Sequence, residues 1–179
     1  MEQFIGIKRL WYGDVITAAV TPESLKAWLT AANTKEVKNV HQDTFQYNQD
    51  DPSVTDYINQ VTGKPYYRDK TSEGSKTIAF TIGEYEFDDK VALQGGTLVK
   101  DGEETVGWSA PDDLSLIYKG IVGLTKTGNY VVFTNAGIVG KTTMAEQNMG
   151  LGVTAAAMGN PTDGVKDEYW FKGASVEAK

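Results

Sequence analysis

The sequence predicts a mainly β protein, an antiparallel β-sandwich or partly closed β-barrel with one flanking α-helix. Three observations carry this. Short apolar segments recur through most of the chain, about ten of them, bounded by turn pairs such as Gly13-Asp14, Asp101-Gly102 and Gly128-Asn129. Only one segment, around Leu25, Trp28 and Leu29, has a helical period. The stretch 74–96, around which the rest is organised, alternates with period two and then changes phase, as a sheet does where it bends.

Taken in order, Phe4, Ile5, Ile7, Leu10, Trp11 and Tyr12 form an opening strand that ends at Gly13-Asp14. Thr21-Pro22-Glu23 then supplies a helix start: a hydroxyl cap, a proline whose missing N–H costs nothing, and an acid in the first turn. Leu25, Trp28, Leu29 and Ala32 share one face, and Asn33 can close the helix. Burying the three large side chains on a sheet would contribute roughly 2 kcal/mol each. Val37, Val40, Phe45 and Tyr47 lead to the turn Asp50-Asp51-Pro52, Val54 to a further strand running to Val61, and Thr62-Gly63-Lys64-Pro65 to Tyr66-Tyr67-Arg68. Residues 41–71 are polar and tyrosine-rich, poor core material, which predicts a long loop or an extended hairpin.

In 74–96, Ile78, Phe80 and Ile82 share one face, and across Gly83-Glu84 the apolar positions shift to Tyr85 and Phe87. Two readings stay open: a bulge or corner at Gly83, or two ordinary strands joined by a short turn. On the first, Gly83→Val would distort the corner and lower stability. Asp101-Gly102 predicts a type I′ hairpin between Thr97-Leu98-Val99 and Thr105-Val106-Gly107-Trp108. Ile117 and Ile121 face one way and Tyr118, Val122 and Leu124 the other, so that strand is covered on both sides, and its hairpin into Tyr130-Val131-Val132-Phe133 forms the centre of the sheet. Residues 149–158 and Tyr169-Trp170-Phe171 close the chain. With no internal repeat, low-complexity tract or linker, 1–179 reads as one domain.

At 179 residues, 40% hydrophobic and 23% charged, the chain can bury a core without staples, and with no cysteine it has neither disulfides nor thiolate sites. A net charge of −7 argues against non-specific affinity for phosphate backbones or anionic lipid. The start, MEQFIGIKRL, has too short an apolar run for a signal peptide, and no run of apolar residues is long enough to span a membrane. The chain reads as made and used in a cytosol; a secreted assembly made by another route would look the same.

Chemistry is hard to find. Gly140-Lys141-Thr142 has Asn135 where a phosphate-binding loop needs its first glycine, so Lys141 reads as a lysine on a connecting loop. His41, the only histidine, can form no histidine cluster, and no serine sits in Gly-x-Ser-x-Gly. The pairs Asp50-Asp51, Asp88-Asp89, Glu103-Glu104 and Asp112-Asp113 fall at turns, where neighbouring carboxylates diverge instead of converging as glycosidase acids must. The reading is therefore a non-enzyme with no cofactor and no metal.

Leu10-Trp11-Tyr12-Gly13, the run from Glu36 to Phe45 (EVKNVHQDTF), Asn59-Gln60-Val61-Thr62-Gly63, Tyr67-Arg68, Phe80-Thr81-Ile82-Gly83-Glu84-Tyr85, Gly95-Gly96, Val106-Gly107-Trp108, Thr125-Lys126-Thr127-Gly128 and Val132-Phe133 occur in an order that resembles the tail tube (major tail) proteins of long-tailed bacteriophages. The resemblance implies a tail-tube-like β domain made in a bacterial host cytoplasm and carried in the virion tail. Such subunits form rings, usually hexameric, that stack into a tube. Their partners are copies of the same chain and other tail proteins, and DNA passes through the lumen without specific binding. Type VI secretion tubes share the shape and remain an alternative, as do a carbohydrate-binding β-sandwich and a small hydrolase centred on His41. With only 172–179 after Phe171, no immunoglobulin-like extension is expected. The acidic surface suits a wall along which DNA slides, and the tyrosines of 41–71 suit a contact between subunits. Phe45, Tyr47, Tyr57, Tyr66 and Tyr67 are the expected interface residues. On this reading Gly83 is the corner where a strand passes from one sheet to the next.

Overall fold

The computed structural model describes residues 2–113 and 115–177. In chain order the first elements are β1 (Arg9–Gly13), α1 (Pro22–Leu29), β2 (Lys35–Glu36), β3 (Gln46–Gln49), β4 (Ser53–Ile58), β5 (Pro65–Ser72), β6 (Lys76–Ile82) and α2 (Phe87–Gln94). There follow β7 (Thr97–Asp101), β8 (Glu104–Ser109), β9 (Ile117–Leu124), β10 (Tyr130–Ala145), β11 (Asn148–Ala157), β12 (Glu168–Phe171) and α3 (Gly173–Glu177). The protein is mainly β and its strand pairs are antiparallel. One sheet runs β2-β1-β9-β10-β11-β6-β3 with β12 also on β10, and two separate hairpins, β4–β5 and β7–β8, stand outside it.

Strand alternation sorts the core into two clusters. Leu10 and Tyr12 of β1, Ile121 of β9, Val131 and Phe133 of β10, Val153 of β11 and Phe80 of β6 point inward to a common interior. A sheet whose ends supply one core must curl on itself. The alternate residues Trp11, Val122, Leu124, Tyr130 and Val132 point outward and are covered by Leu25 of α1 and Val176 of α3. The two-sided burial expected for the strand from Ile117 to Leu124 holds for its second half, from Gly120 to Leu124, whereas Tyr118, expected on a covered face, is exposed.

The sheet is not closed into a barrel. Residues 37–41 nonetheless bridge β1 and β6, the strands next to its two ends: Val37 N–H donates to Leu10 O on β1 at 2.8 Å, and His41 N–H to Thr81 O on β6 at 2.7 Å. One short segment thus satisfies backbone groups on both strands where the end strands β2 and β3 do not pair with them.

The bend expected at Gly83 lies elsewhere. The register between β9 and β10 shifts between Phe133 and Ala136, and the other edge of β10 changes partner at the same place, from β12 to β11. Thr134 and Asn135 at the shift are buried: Thr134 Oγ1 donates to Lys166 O at 2.7 Å and Asn135 Nδ2 to Gly159 O at 2.8 Å, while Asn135 Oδ1 has no hydrogen-bond partner among the described residues. At Gly83, by contrast, β6 has ended at Ile82, and neither a bulge nor a second strand follows. A helix, α2, does. Its start is tied by Glu86 N–H donating to Asp89 Oδ2 at 3.0 Å, and its end by Gly95 N–H donating to Val91 O at 3.0 Å. Leu93 is fully buried in the interior while Phe87 stays exposed, so the alternation at Tyr85 and Phe87 was not a strand signal.

Other expectations are adjusted. The helix α1 is present with its Thr21 cap, where Thr21 Oγ1 accepts from Ser24 N–H at 3.1 Å, but it stops at Leu29. Asn33 does not close it and instead donates from Nδ2 to Asp14 Oδ2 at 2.9 Å. Among the described residues three helices stand where one was expected. In the β7–β8 turn only Gly102 has a positive φ, +63°, so the loop is Gly102-Glu103, with glycine at its first central position, rather than an Asp-Gly type I′ pair. Gly140, Lys141 and Thr142 lie in β10 paired with β11, not on a connecting loop. A Cβ on Gly140 would sit 2.4 Å from Leu93 O, so this glycine lets the α2 backbone lie directly against the strand.

Candidate assembly interface

The segment 41–71, expected as a loop or extended hairpin, divides at Asp50. Before it, β3 pairs along β6 and belongs to the body. After it, β4 and β5 pair with each other alone, Tyr57 opposite Tyr67 and Asp56 opposite Arg68. Asp50 N–H donates to Ser75 O at 2.9 Å, which marks the root where the hairpin leaves the sheet.

Every β4 residue is exposed, and of β5 only Asp69 is partly covered. Side chains of one two-stranded ribbon cannot bury one another, and a lone ribbon is marginal in water. Local interactions give this one its shape. The rings of Tyr57 and Tyr67 lie 5.6 Å apart on one face. On the other, Arg68 donates from Nε and Nη2 to the two carboxylate oxygens of Asp56, at 2.5 and 2.8 Å. Those hydrogen bonds hold the Asp56 carboxyl below its usual pKa and the Arg68 guanidinium above its own. At the tip, Asn59 Oδ1 accepts from Val61 N–H at 2.8 Å, and Asn59 N–H donates to Lys64 O at 2.8 Å.

An arm so shaped exposes apolar surface. Val61 is 95% exposed, Tyr66 69%, Tyr67 57% and Tyr57 45%, with Val54 and Ile58 beside them. Tyrosine supplies large, stiff contact area at low entropic cost, and exposed apolar side chains gathered on a projecting element mark an interaction surface.

The five expected contact residues therefore separate. Tyr57, Tyr66 and Tyr67 lie together on the arm. Phe45 and Tyr47 are half-buried and pack on the chain's own core. The Tyr47 hydroxyl donates to Glu168 Oε1 at 2.8 Å, and its ring meets Phe133 at 6.1 Å and the edge of Trp170 at 5.5 Å. Burial, aided by Glu168, raises the Tyr47 pKa well above its usual value. Sequence reasoning missed Val54, Ile58 and Val61 as arm residues, although apolar side chains in an otherwise polar segment were the available signal.

Two further projections accompany the arm. The β7–β8 hairpin leans on α2 through Trp108, whose Nε1 donates to Gly95 O at 2.8 Å and whose ring lies 4.0 Å from Lys90 Nζ. The tip of the β10–β11 hairpin carries Met144 opposite Met149, both exposed.

No catalytic constellation forms around His41. It lies on a loop, half-buried, with Nδ1 3.2 Å from Gln42 O, and among the described residues it makes no hydrogen bond to a serine hydroxyl or a carboxylate. Among the described residues no three His, Cys, Asp or Glu side chains gather to hold a metal, and no helix is long and apolar enough to cross a membrane. No protein-family model matches the sequence, and no curated protein matches it.

Proposed function

We propose that this chain is a structural subunit that assembles with copies of itself into stacked rings, forming the tail tube of a long-tailed phage, a conduit through which DNA leaves the virion. The observation that carries the proposal is the β4–β5 arm. It exposes Val54, Tyr57, Ile58, Val61, Tyr66 and Tyr67, and no other part of the subunit covers them among the described residues. Such an arm gains stability when it lies on a neighbouring copy, and a contact between unlike surfaces of identical subunits closes into a ring or runs on as a filament. The net charge of −7 supports the conduit: a wall of that sign repels phosphate and lets DNA pass without being held. The order of sequence segments shared with tail tube proteins supplies the choice of phage tail over other ring-forming tubes.

The test is particle size and shape as concentration rises, by sedimentation velocity and negative-stain microscopy. Rings or tubes of uniform diameter are expected. A chain that stays monomeric at every concentration, or a monomer that binds glycans, refutes the reading.

A further inference from the structure

A second feature, independent of the arm, points to where one copy grips the next. Beside the segment that bridges β1 and β6 lies a groove of about 460 Å³. Its floor is apolar, from Ile7, Val40 and Phe45, and its rim carries Lys8, Lys38 and Lys126. These lysines come from three separate stretches of chain, all three are exposed, and none has an ion-pair partner among the described residues. Arg9, also at the rim, is occupied, donating from Nε and Nη2 to the carboxylate of Glu36. Of the acids lining the groove only Asp43 opposes the lysines, so a strongly acidic protein holds here a concentrated positive patch.

The same chain carries its complement. The turn of the β7–β8 hairpin presents Asp101, Glu103 and Glu104, all exposed and none in an ion pair among the described residues. This hairpin pairs with no strand of the main sheet, so its tip projects.

We infer that the basic groove rimmed by Lys8, Lys38 and Lys126 receives the acidic β7–β8 tip of a second copy of this chain. Opposite charges that lack partners within the subunit gain them across the contact, and the pairing also sets which neighbour surfaces meet, since like-charged alternatives repel. Groove and tip share no residue, so each copy can use both at once. The contact is then between unlike surfaces, which builds rings or filaments and not closed two-fold dimers. The inference rests on the assembling-subunit reading above and names a second contact that works beside the arm, both being needed for rings.

Two variants and their mixture test it. Lys8→Glu/Lys38→Glu/Lys126→Glu makes both groove and tip acidic, and Glu103→Lys/Glu104→Lys makes both basic. All substituted side chains are exposed, and circular dichroism with thermal melting checks that each variant keeps the wild-type fold. Sedimentation velocity should show wild-type rings, monomers for each variant alone, and rings again in the equimolar mixture, where acidic and basic copies alternate. Rings from either variant alone, or no rings from the mixture, overturn the groove contact while leaving the ring reading standing. A monomeric wild type removes both.

Discussion

Replacing the arm by a tight turn should abolish assembly and leave the subunit slightly more stable. Asp50 and Ser75 face each other at the root, one step beyond the Gln49–Lys76 pair of the β3–β6 ladder, so residues 51–74 can be exchanged for Asn-Gly. What the body loses is small. No buried side chain lies in 51–74, and one hydrogen bond crosses from body to arm base, Gln49 Nε2 donating to Glu73 O at 3.5 Å, worth roughly 0.5 kcal/mol. What it gains is loop entropy. Each doubling of loop length costs about 0.6 kcal/mol, so cutting this loop to two residues returns about 2 kcal/mol. The net gain of about 1.5 kcal/mol corresponds to a rise in Tm of roughly 3–6 °C for a chain of this size. Differential scanning calorimetry of dilute protein reads the first quantity and negative-stain microscopy of concentrated protein the second. A lowered Tm would show that the arm belongs to the subunit's own fold. Rings formed without the arm would show that it is not the contact.

Further outcomes follow from the same geometry. Tyr12→Phe removes the hydroxyl that donates to Asp89 Oδ1 and leaves that carboxylate with Glu86 N–H at 3.0 Å and Lys35 Nζ at 3.6 Å; a loss of about 2 kcal/mol is expected in chemical denaturation. Gly140→Ala puts a methyl against the α2 backbone and should cost about 1–3 kcal/mol, whereas Gly83→Ala meets only the side-chain ends of Asn39 and Asn148 and should stay within about 0.5 kcal/mol. If the Gly83 variant melted lower than the Gly140 one, the close approach of the α2 backbone to β10 at Gly140 and the open surroundings of Gly83 would be wrong. Alkaline pH should destabilise. Burial, then nearby carboxylates, raise the pKa values of Tyr12, Tyr47 and Tyr130; for Lys76 burial opposes the charge, but hydrogen bonds to Glu168 and Asp167 outweigh it and raise the pKa. With folded values raised, the unfolded chain releases these protons first. Their contribution is therefore whole below about pH 10 and lost as pH climbs above it, and a denaturation midpoint that held level to pH 11 would contradict the assignment.

The sequence alone determined what depends on neighbours along the chain. Period-two alternation placed β6 and told the two faces of β9 apart; the apolar run Tyr130-Val131-Val132-Phe133 placed the start of β10; the Thr21 cap placed the start of α1; and the polar, tyrosine-rich composition of 41–71 set that segment apart, although its Phe45 and Tyr47 pack on the core. Only tertiary structure decided what depends on residues far apart. The phase change after Ile82 is compatible with a bulge, a turn or a helix, and α2 wins because Leu93 fills the open interior and Gly140 lets its backbone approach. The bend at Thr134 and Asn135 is invisible locally, since it depends on β12 and β11 arriving on the same edge of β10. Tyr47 and Tyr67 look alike in sequence. One is packed under Trp170 and the other stands on a bare arm, because β3 has β6 to pair with and β5 has only β4. The basic groove likewise exists only after folding, which gathers lysines from positions 8, 38 and 126 onto one rim.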